Sequence, residues 1–181
     1  YYIPAYVGFL QARYLIAKQE NEYNIAVYNQ LADDIEQAFD KLGFNVELYP
    51  LVITQSAIYA YEQDKTTDAI ALLEKGLGLP LNAYEQALVK LQLADIYLFT
   101  DEVWEATLIY SQIEKKLKDE PIGHEARFRN AKLRYFIGEF GWASMQLDVL
   151  KAATSKLIAN DAMKLSLKIR DVLMEDTTGK A

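Results

Sequence analysis

The chain has no cysteine among its 181 residues, which excludes disulfide staples, thiolate nucleophiles and cysteine-ligated zinc. Cysteine-free chains suit both a reducing cytoplasm and an envelope compartment, so this absence assigns no location. Glycine and proline are scarce, at 8 and 4 residues. That favours long helices over a fold with the many turns of a sheet. The one histidine, His124, has no second imidazole or thiol to share a zinc ion with, and no serine and aspartate context for a triad. Beside Gly123 and Glu125 at an expected helix start, it reads as a capping or surface residue. No apolar run approaches the roughly 18 to 20 residues that span a bilayer. No secretory leader opens the chain, although Tyr1 in place of Met suggests a processed or trimmed protein. Phosphate loops, dinucleotide fingerprints and calcium loops are all missing. The carboxylate pairs Asp33/Asp34 and Glu36/Asp40 have the spacing of exposed helix faces, not of an opposed acid and base. The expectation is therefore no catalytic residue, no metal and no cofactor.

What the chain does contain is apolar and acidic. Half of its residues are hydrophobic, a quarter are charged, and the formal net charge is −7. The negative balance opposes general affinity for a phosphate backbone or an anionic membrane and favours solubility. At this length the chain can bury a core either as one ordinary domain or as a short solenoid.

Apolar residues recur at helical spacing almost from end to end. Between Asn82 and Phe99, Ala87, Leu88, Leu91, Ala94 and Leu98 follow three- and four-residue steps, as one face of a helix requires. Asn82 with Glu85 has the form of a capping box, Pro50 and Pro121 suit first turns, and Asp101 can cap the helix after it. Gly43, Gly76 and Gly138 stand near expected helix ends. These signals predict an all-α chain of about nine helices near 3–19, 22–42, 48–63, 66–76, 82–99, 102–118, 122–137, 140–153 and 158–174. Their short connections make neighbours antiparallel.

The strongest signal is an internal repeat of 37 residues. Ala57, Ala94 and Ala131 form one column, and Ala69, Ala106 and Ala143 a second. Leu73, Tyr110 and Leu147 form a third, and Tyr61, Leu98 and Tyr135 a fourth. A small residue, another small residue twelve positions on, and a large one four further on describe two helices touching closely at one level.

This spacing, in AIYAYEQDKTTDAIALL, ADIYLFTDEVWEATLIY and AKLRYFIGEFGWASMQL, resembles the tetratricopeptide repeat. Gly138, Phe140 and Ala143 look most like that family's turn, and Ala94, Tyr97, Ala106 and Tyr110 most like its helix contacts. The period of 37 exceeds the family's usual ~34, Arg134 replaces an aromatic, and Pro80 and Pro121 are displaced. The resemblance covers residues 48–153 well. It implies one domain over 1–181, a right-handed α-solenoid of hairpins near 3–42, 48–76, 82–118 and 122–153, and a last helix at 158–174 without its mate. The earliest hairpin, with Tyr23 and Ala26 opening its second helix, fits least. The runs GHEARFRNAKLRYF and LDVLKAATSKLIANDA also look like longer bacterial tetratricopeptide proteins of the cell envelope. That likeness implies an envelope, periplasmic setting and a fragment whose DTTGKA end leads into another repeat. Exposed solenoid ends would also associate end to end.

The function this implies is a protein-interaction scaffold. Partners of such arrays lie on the concave face made by the first helices, here Thr54, Ile58, Tyr61, Leu91, Asp95, Leu98, Phe128, Lys132 and Tyr135. On that reading Tyr61, Phe128 and Tyr135 anchor a peptide or protein while Asp95 and Lys132 orient it. The competing reading packs the aromatics between repeats. Arg127, Arg129, Lys132 and Arg134 form the one dense basic cluster, able to grip an acidic tail or phosphate through forked contacts. Glu125 and Glu139 nearby favour the plainer reading, a solvated helix face. The family's carboxylate clamp is not matched, since Ile58, Asp95 and Leu91 stand where it has Lys or Asn. Trp104 and Trp142, near the starts of second helices, suit seams between repeats. Two alternatives compete with the scaffold. One is a spacer within a longer array; the other is an RNA-binding helical repeat, for which the regular set of base-reading polar residues is missing.

Overall fold

Helix starts follow the local chemistry of the sequence. Pro4, Pro50 and Pro121 stand in first turns, where the missing N–H has no intrahelical partner to lose. Asn82 and Glu85 close a reciprocal capping box: the Asn82 side chain accepts from the Glu85 N–H at 3.0 Å, and the Glu85 carboxylate accepts from the Asn82 N–H at 2.9 Å. The Asn24 side chain accepts from the Ala26 N–H at 3.0 Å, which starts the second helix at Ile25, later than the expected residue 22.

The computed structural model describes residues 2–20, 22–152 and 156–177, and among these residues it contains helix and no strand. The end of the expected 140–153 helix and the close of the DTTGKA run lie outside the described residues. The chain divides into two compact units, 1–102 and 103–181. The division falls at the turn of the expected 82–118 pair.

Unit 1 holds α1 (Ile3–Gln19), α2 (Ile25–Leu42), a 3-10 turn (Val46–Leu48), α3 (Tyr49–Tyr61), α4 (Thr66–Leu77) and α5 (Ala83–Phe99). Here α1 packs on α2 and α3, and α3 packs on α4 and α5. Leu10, Leu31, Ile35, Leu48, Leu51 and Ile58, all fully buried, centre its core. Unit 2 holds α6 (Val103–Lys116), α7 (Pro121–Phe136), α8 (Phe140–Leu150) and α9 (Lys156–Thr177). In it α7 packs on α6, α8 and α9, around Ala131, Ala143, Leu147, Leu150, Ala162 and Ile169. Nine α-helices are therefore present among the described residues, close to the expected bounds.

The 37-residue columns sort by burial. Ala57, Ala94 and Ala131 are buried, as are Ala69, Ala106 and Ala143, and Leu73, Tyr110 and Leu147. The fourth column keeps contact with solvent, with Tyr61 37% and Leu98 40% exposed and Tyr135 half-buried. The turns repeat as well. Asp64, Asp101 and Gly138 all have left-handed φ, at 55°, 66° and 82°. The helices that follow begin at Thr66, Val103 and Phe140. At the second turn Asp101 N–H donates to the Leu98 carbonyl at 3.2 Å and Glu102 N–H to Tyr97 at 2.7 Å. One period later Gly138 N–H donates to Tyr135 at 3.1 Å and Glu139 N–H to Arg134 at 2.8 Å, the same double closure of a helix end. The end of α3 is wound wider, with Gln63 N–H on Ile58 at 3.1 Å and Lys65 N–H on Tyr59 at 2.8 Å.

One expected punctuation mark has a second role and another acts differently. Gly76 stands one residue before the end of α4, near the expected helix end, but it is buried where an added Cβ would stand 2.8 Å from Val52 Cγ1, so it also serves close helix approach. Asp101 does not cap α6. It occupies the left-handed turn closing α5, two residues before α6 begins, a conformation Asp tolerates better than most residues.

Candidate functional site

Among the described residues, each unit carries an open groove whose lining comes from first helices. In unit 1 it encloses about 530 Å³. From α1 come Gln11, Tyr14, Leu15 and Lys18; from α3, Ile53, Thr54, Ala57 and Tyr61; from α5, Gln92 and Asp95. The α1 residues have the i, i+3, i+4, i+7 spacing that places side chains on one helix face. Leu15 and Tyr61 offer apolar walls, and the Tyr61 ring meets Phe99 edge-on with centroids 5.1 Å apart. The floor is polar. Thr54 is only 5% exposed and donates its hydroxyl to the Pro50 carbonyl at 3.0 Å. The Gln92 Nε2 is buried and has no hydrogen-bond partner among the described residues. A buried amide donor left unpaired loses its hydration without compensation, so this atom is poised for a carbonyl acceptor. Burial, and then the nearby Glu62 charge, hold the Tyr14 phenol well above its ordinary range, while the Lys18 ammonium lies 5.5 Å from the Tyr14 ring centroid.

The groove of unit 2 encloses about 390 Å³ between α7 and α9. Phe128, Lys132, Tyr135 and Phe136 face Asp161, Lys164, Leu165 and Lys168. The α9 set repeats the i, i+3, i+4, i+7 spacing seen on α1. Tyr135 packs against Phe136 and Phe140 at 5.4 and 5.6 Å. Lys164 reaches Asp161 at 3.6 Å, and Lys132 and Lys168 are exposed.

Five of the six residues singled out from sequence therefore reach a groove: Tyr61 and Asp95 in unit 1, Phe128, Lys132 and Tyr135 in unit 2. Arg129 does not. It donates to Glu125 at 2.7 Å one turn back on α7. Arg127 pairs with Glu114 of α6 at 2.7 Å and Arg134 with Glu139 at 2.9 Å, so three members of the basic cluster are tied to carboxylates. Two other expected lining residues are withdrawn: Ile58 is fully buried and Leu91 is 5% exposed, because both point into helix contacts.

Other expectations are corrected by burial. Trp104 is 73% exposed and seals no seam. Trp142 lies partly buried beneath the Arg134 guanidinium, 5.3 Å from the ring centroid. His124 is half-buried in the first turn of α7 with an unpartnered Nδ1, and it does not cap that helix. Of the four carboxylates, Asp33, Glu36 and Asp40 are exposed as expected; Asp34 is partly buried and pairs with Arg13, and Glu36 accepts from the Tyr59 hydroxyl.

Sequence reading missed Gln11, Tyr14, Lys18 and Gln92 in the first groove and Asp161, Lys164 and Lys168 in the second. The four-residue stripes on α1 and α9 were available as a signal. A third opening, about 660 Å³ beside α8 and α9, is mainly apolar, with Met163, Leu167, Leu173 and Met174 beside Lys151 and Arg170. No helix among the described residues is long and apolar enough to cross a membrane. No group of three or more His, Asp or Glu among them is placed to hold a metal ion. No protein-family model, curated protein or solved structure matches the chain.

Proposed function

We propose that the protein is a non-catalytic interaction scaffold, a tetratricopeptide-like α-solenoid that holds a peptide or protein segment along its first-helix face. The observation that carries this reading is the recurrence of the groove. In unit 1 and again in unit 2 there is an open groove whose lining comes from first helices of the expected pairs, alongside the opening between α8 and α9. Each combines exposed aromatic surface with a few polar groups, the composition that suits anchored recognition of an extended segment. The unpartnered Gln92 Nε2 supports a main-chain carbonyl as one ligand atom in unit 1. The burial of three repeat columns supports the solenoid, since small buried residues such as Ala57 and Ala69 on α3 and α4, or Ala131 and Ala143 on α7 and α8, let paired helices approach within each unit. Placement in a bacterial envelope rests on the resemblance of the 110–174 region alone.

The RNA-binding alternative loses its main motive, because Arg127, Arg129 and Arg134 are each held by a carboxylate. The spacer alternative is separated by experiment. A photocrosslinking side chain is placed at Tyr61 or Tyr135, or at exposed Glu74 on α4 as a control, and the full protein is irradiated in its native cells. The scaffold reading expects one discrete partner, identified by mass spectrometry, from the groove positions and none from Glu74. Equal capture at all three, or none at the grooves, would leave the segment a spacer.

A further inference from the structure

The two grooves differ in charge, and we infer that the groove of unit 2 selects an acidic segment of a protein partner carrying an aromatic or large aliphatic side chain. This rests on the scaffold reading and adds the chemistry of the partner. The groove presents three ammonium groups, Lys132 from α7 and Lys164 and Lys168 from α9, against one carboxylate, Asp161. That is a local excess of two positive charges on a chain whose formal net charge is −7. Asp161 is committed to Lys164 at 3.6 Å, and Lys132 and Lys168 stand exposed on the two helices that flank the groove. The same groove is lined by Phe128 and Tyr135 of α7, partly buried against the core of unit 2, and by Phe136, which is 71% exposed. Apolar surface in one groove with lysines from both helices fits a chain that buries one large side chain and pairs carboxylates with the ammonium groups.

Unit 1 provides the internal contrast. Its groove sets one cation, Lys18, against one anion, Asp95, and fills the remaining polar positions with neutral Gln11, Thr54 and Gln92. Its charge is balanced, so an acidic segment gains nothing there. Complementary charge speeds encounter and discriminates among partners even where it adds modest affinity. Lysines, compact and strongly hydrated, read charge more than shape, which suits a run of Asp and Glu over one fixed carboxylate geometry.

The test uses the whole chain and a fluorescein-labelled peptide rich in Glu and Asp with one central Phe. Two further peptides replace its acidic residues with Gln and Asn, or with Lys. By fluorescence polarisation the acidic peptide is expected to bind about tenfold or more tighter than the neutral one, and to weaken steadily as salt is raised. The double variant Lys132→Glu/Lys168→Glu should lose that preference. Lys115→Glu/Lys118→Glu, an equal charge change on exposed residues outside both grooves, should keep it, with circular dichroism confirming helix content in both. Equal affinity for the three peptides overturns the inference, as does loss of preference in the control variant. Tighter binding of single-stranded RNA that displaces the acidic peptide would also overturn it, in favour of a nucleic-acid groove. Failure of the two readings is distinguishable. A partner crosslinked at Tyr135 through a segment without acidic residues refutes this inference and leaves the scaffold standing; no crosslinked partner refutes both.

Discussion

Replacing Gly123 by alanine sets two physical effects in opposition. Glycine within a helix costs about 0.5–1 kcal/mol relative to alanine, so propensity alone predicts a gain of up to that size. The close approach of α6 and α7 predicts the reverse. A Cβ on Gly123 would stand 1.9 Å from the Leu117 carbonyl oxygen, 2.6 Å from the Leu117 carbonyl carbon and 3.3 Å from the Lys118 nitrogen. These are backbone atoms and cannot rotate aside, so the first turn of α7 must pull away from the end of α6. Overpacking costs about 1–3 kcal/mol even where side chains yield, which puts this case at the upper end and the net loss near 2 kcal/mol. For a unit of this size that corresponds to a fall of roughly 10–15 °C in its thermal transition. Gly141→Ala is the matched control: it lies in the first turn of α8, and nothing stands within 4 Å of its added Cβ. It should change stability by no more than about 0.5 kcal/mol, in the stabilising direction. Thermal and urea unfolding by circular dichroism, with amide exchange to assign the loss to unit 2, measures both. A Gly123→Ala protein as stable as the parent would show that the α6–α7 approach is not as close as described.

The left-handed turns give a second test by urea unfolding. Gly138→Ala, at φ 82°, should lose about 1 kcal/mol, while Asp101→Gly, at φ 66°, should be neutral or gain up to about 0.5 kcal/mol; a clear loss at Asp101 would mean that its side chain makes an unrecognised contact. In acid, the Arg13 hydrogen bond holds the Asp34 carboxyl below its ordinary 3.8, so its stabilisation is present above that value and disappears as pH falls through the depressed folded value. Asp34→Asn should therefore be less stable than the parent near neutrality and converge with it in strong acid, and parallel stability curves would exclude the ion pair as the cause. In alkali the sign reverses: burial raises the phenols of Tyr14, Tyr28, Tyr49 and Tyr59, so their contribution is intact below 10.0 and is lost as pH rises past it toward the folded values. Tyr14→Phe should move the alkaline unfolding of unit 1 to higher pH, and phenolate absorbance showing Tyr14 ionised at its ordinary value in folded protein would refute this.

Helix number, spacing and the buried repeat columns were legible because they depend on local periodicity. Ala57, Ala69 and Leu73 lie within one hairpin, and their copies recur at a fixed interval, so one pattern predicts nine positions whose burial can be inspected. What was misread turns on contact between separate elements. Gly76 stands near a helix end and Gly123 near a helix start, positions that call for no close packing in the sequence, yet each is small because a neighbour, Val52 in one case and the Leu117 carbonyl in the other, fills the space of a Cβ. Trp104 and Ile58 were misassigned for a related reason. Their distance along the repeat says which helix they occupy, but a rotation of one residue about a helix axis decides between solvent and core.

The grooves show where the repeat ceases to inform. Five of the named residues reach a groove because α3, α5 and α7 belong to the regular part of the repeat, where Tyr61 and Tyr135 stand four residues beyond buried Ala57 and Ala131. The opposite wall of each groove comes from α1 or α9, which lie outside residues 48–153 and share no register with the columns. Yet the outer helix decides the character of each groove. From α1 come the Lys18 that balances Asp95 and the Tyr14 beneath it; from α9 come two of the three lysines that make the second groove basic. A repeat constrains the residues that bring helices together, because every copy must solve the same packing problem. The residues facing a ligand escape that constraint, and so the surface most able to distinguish partners is also the surface on which periodicity is silent.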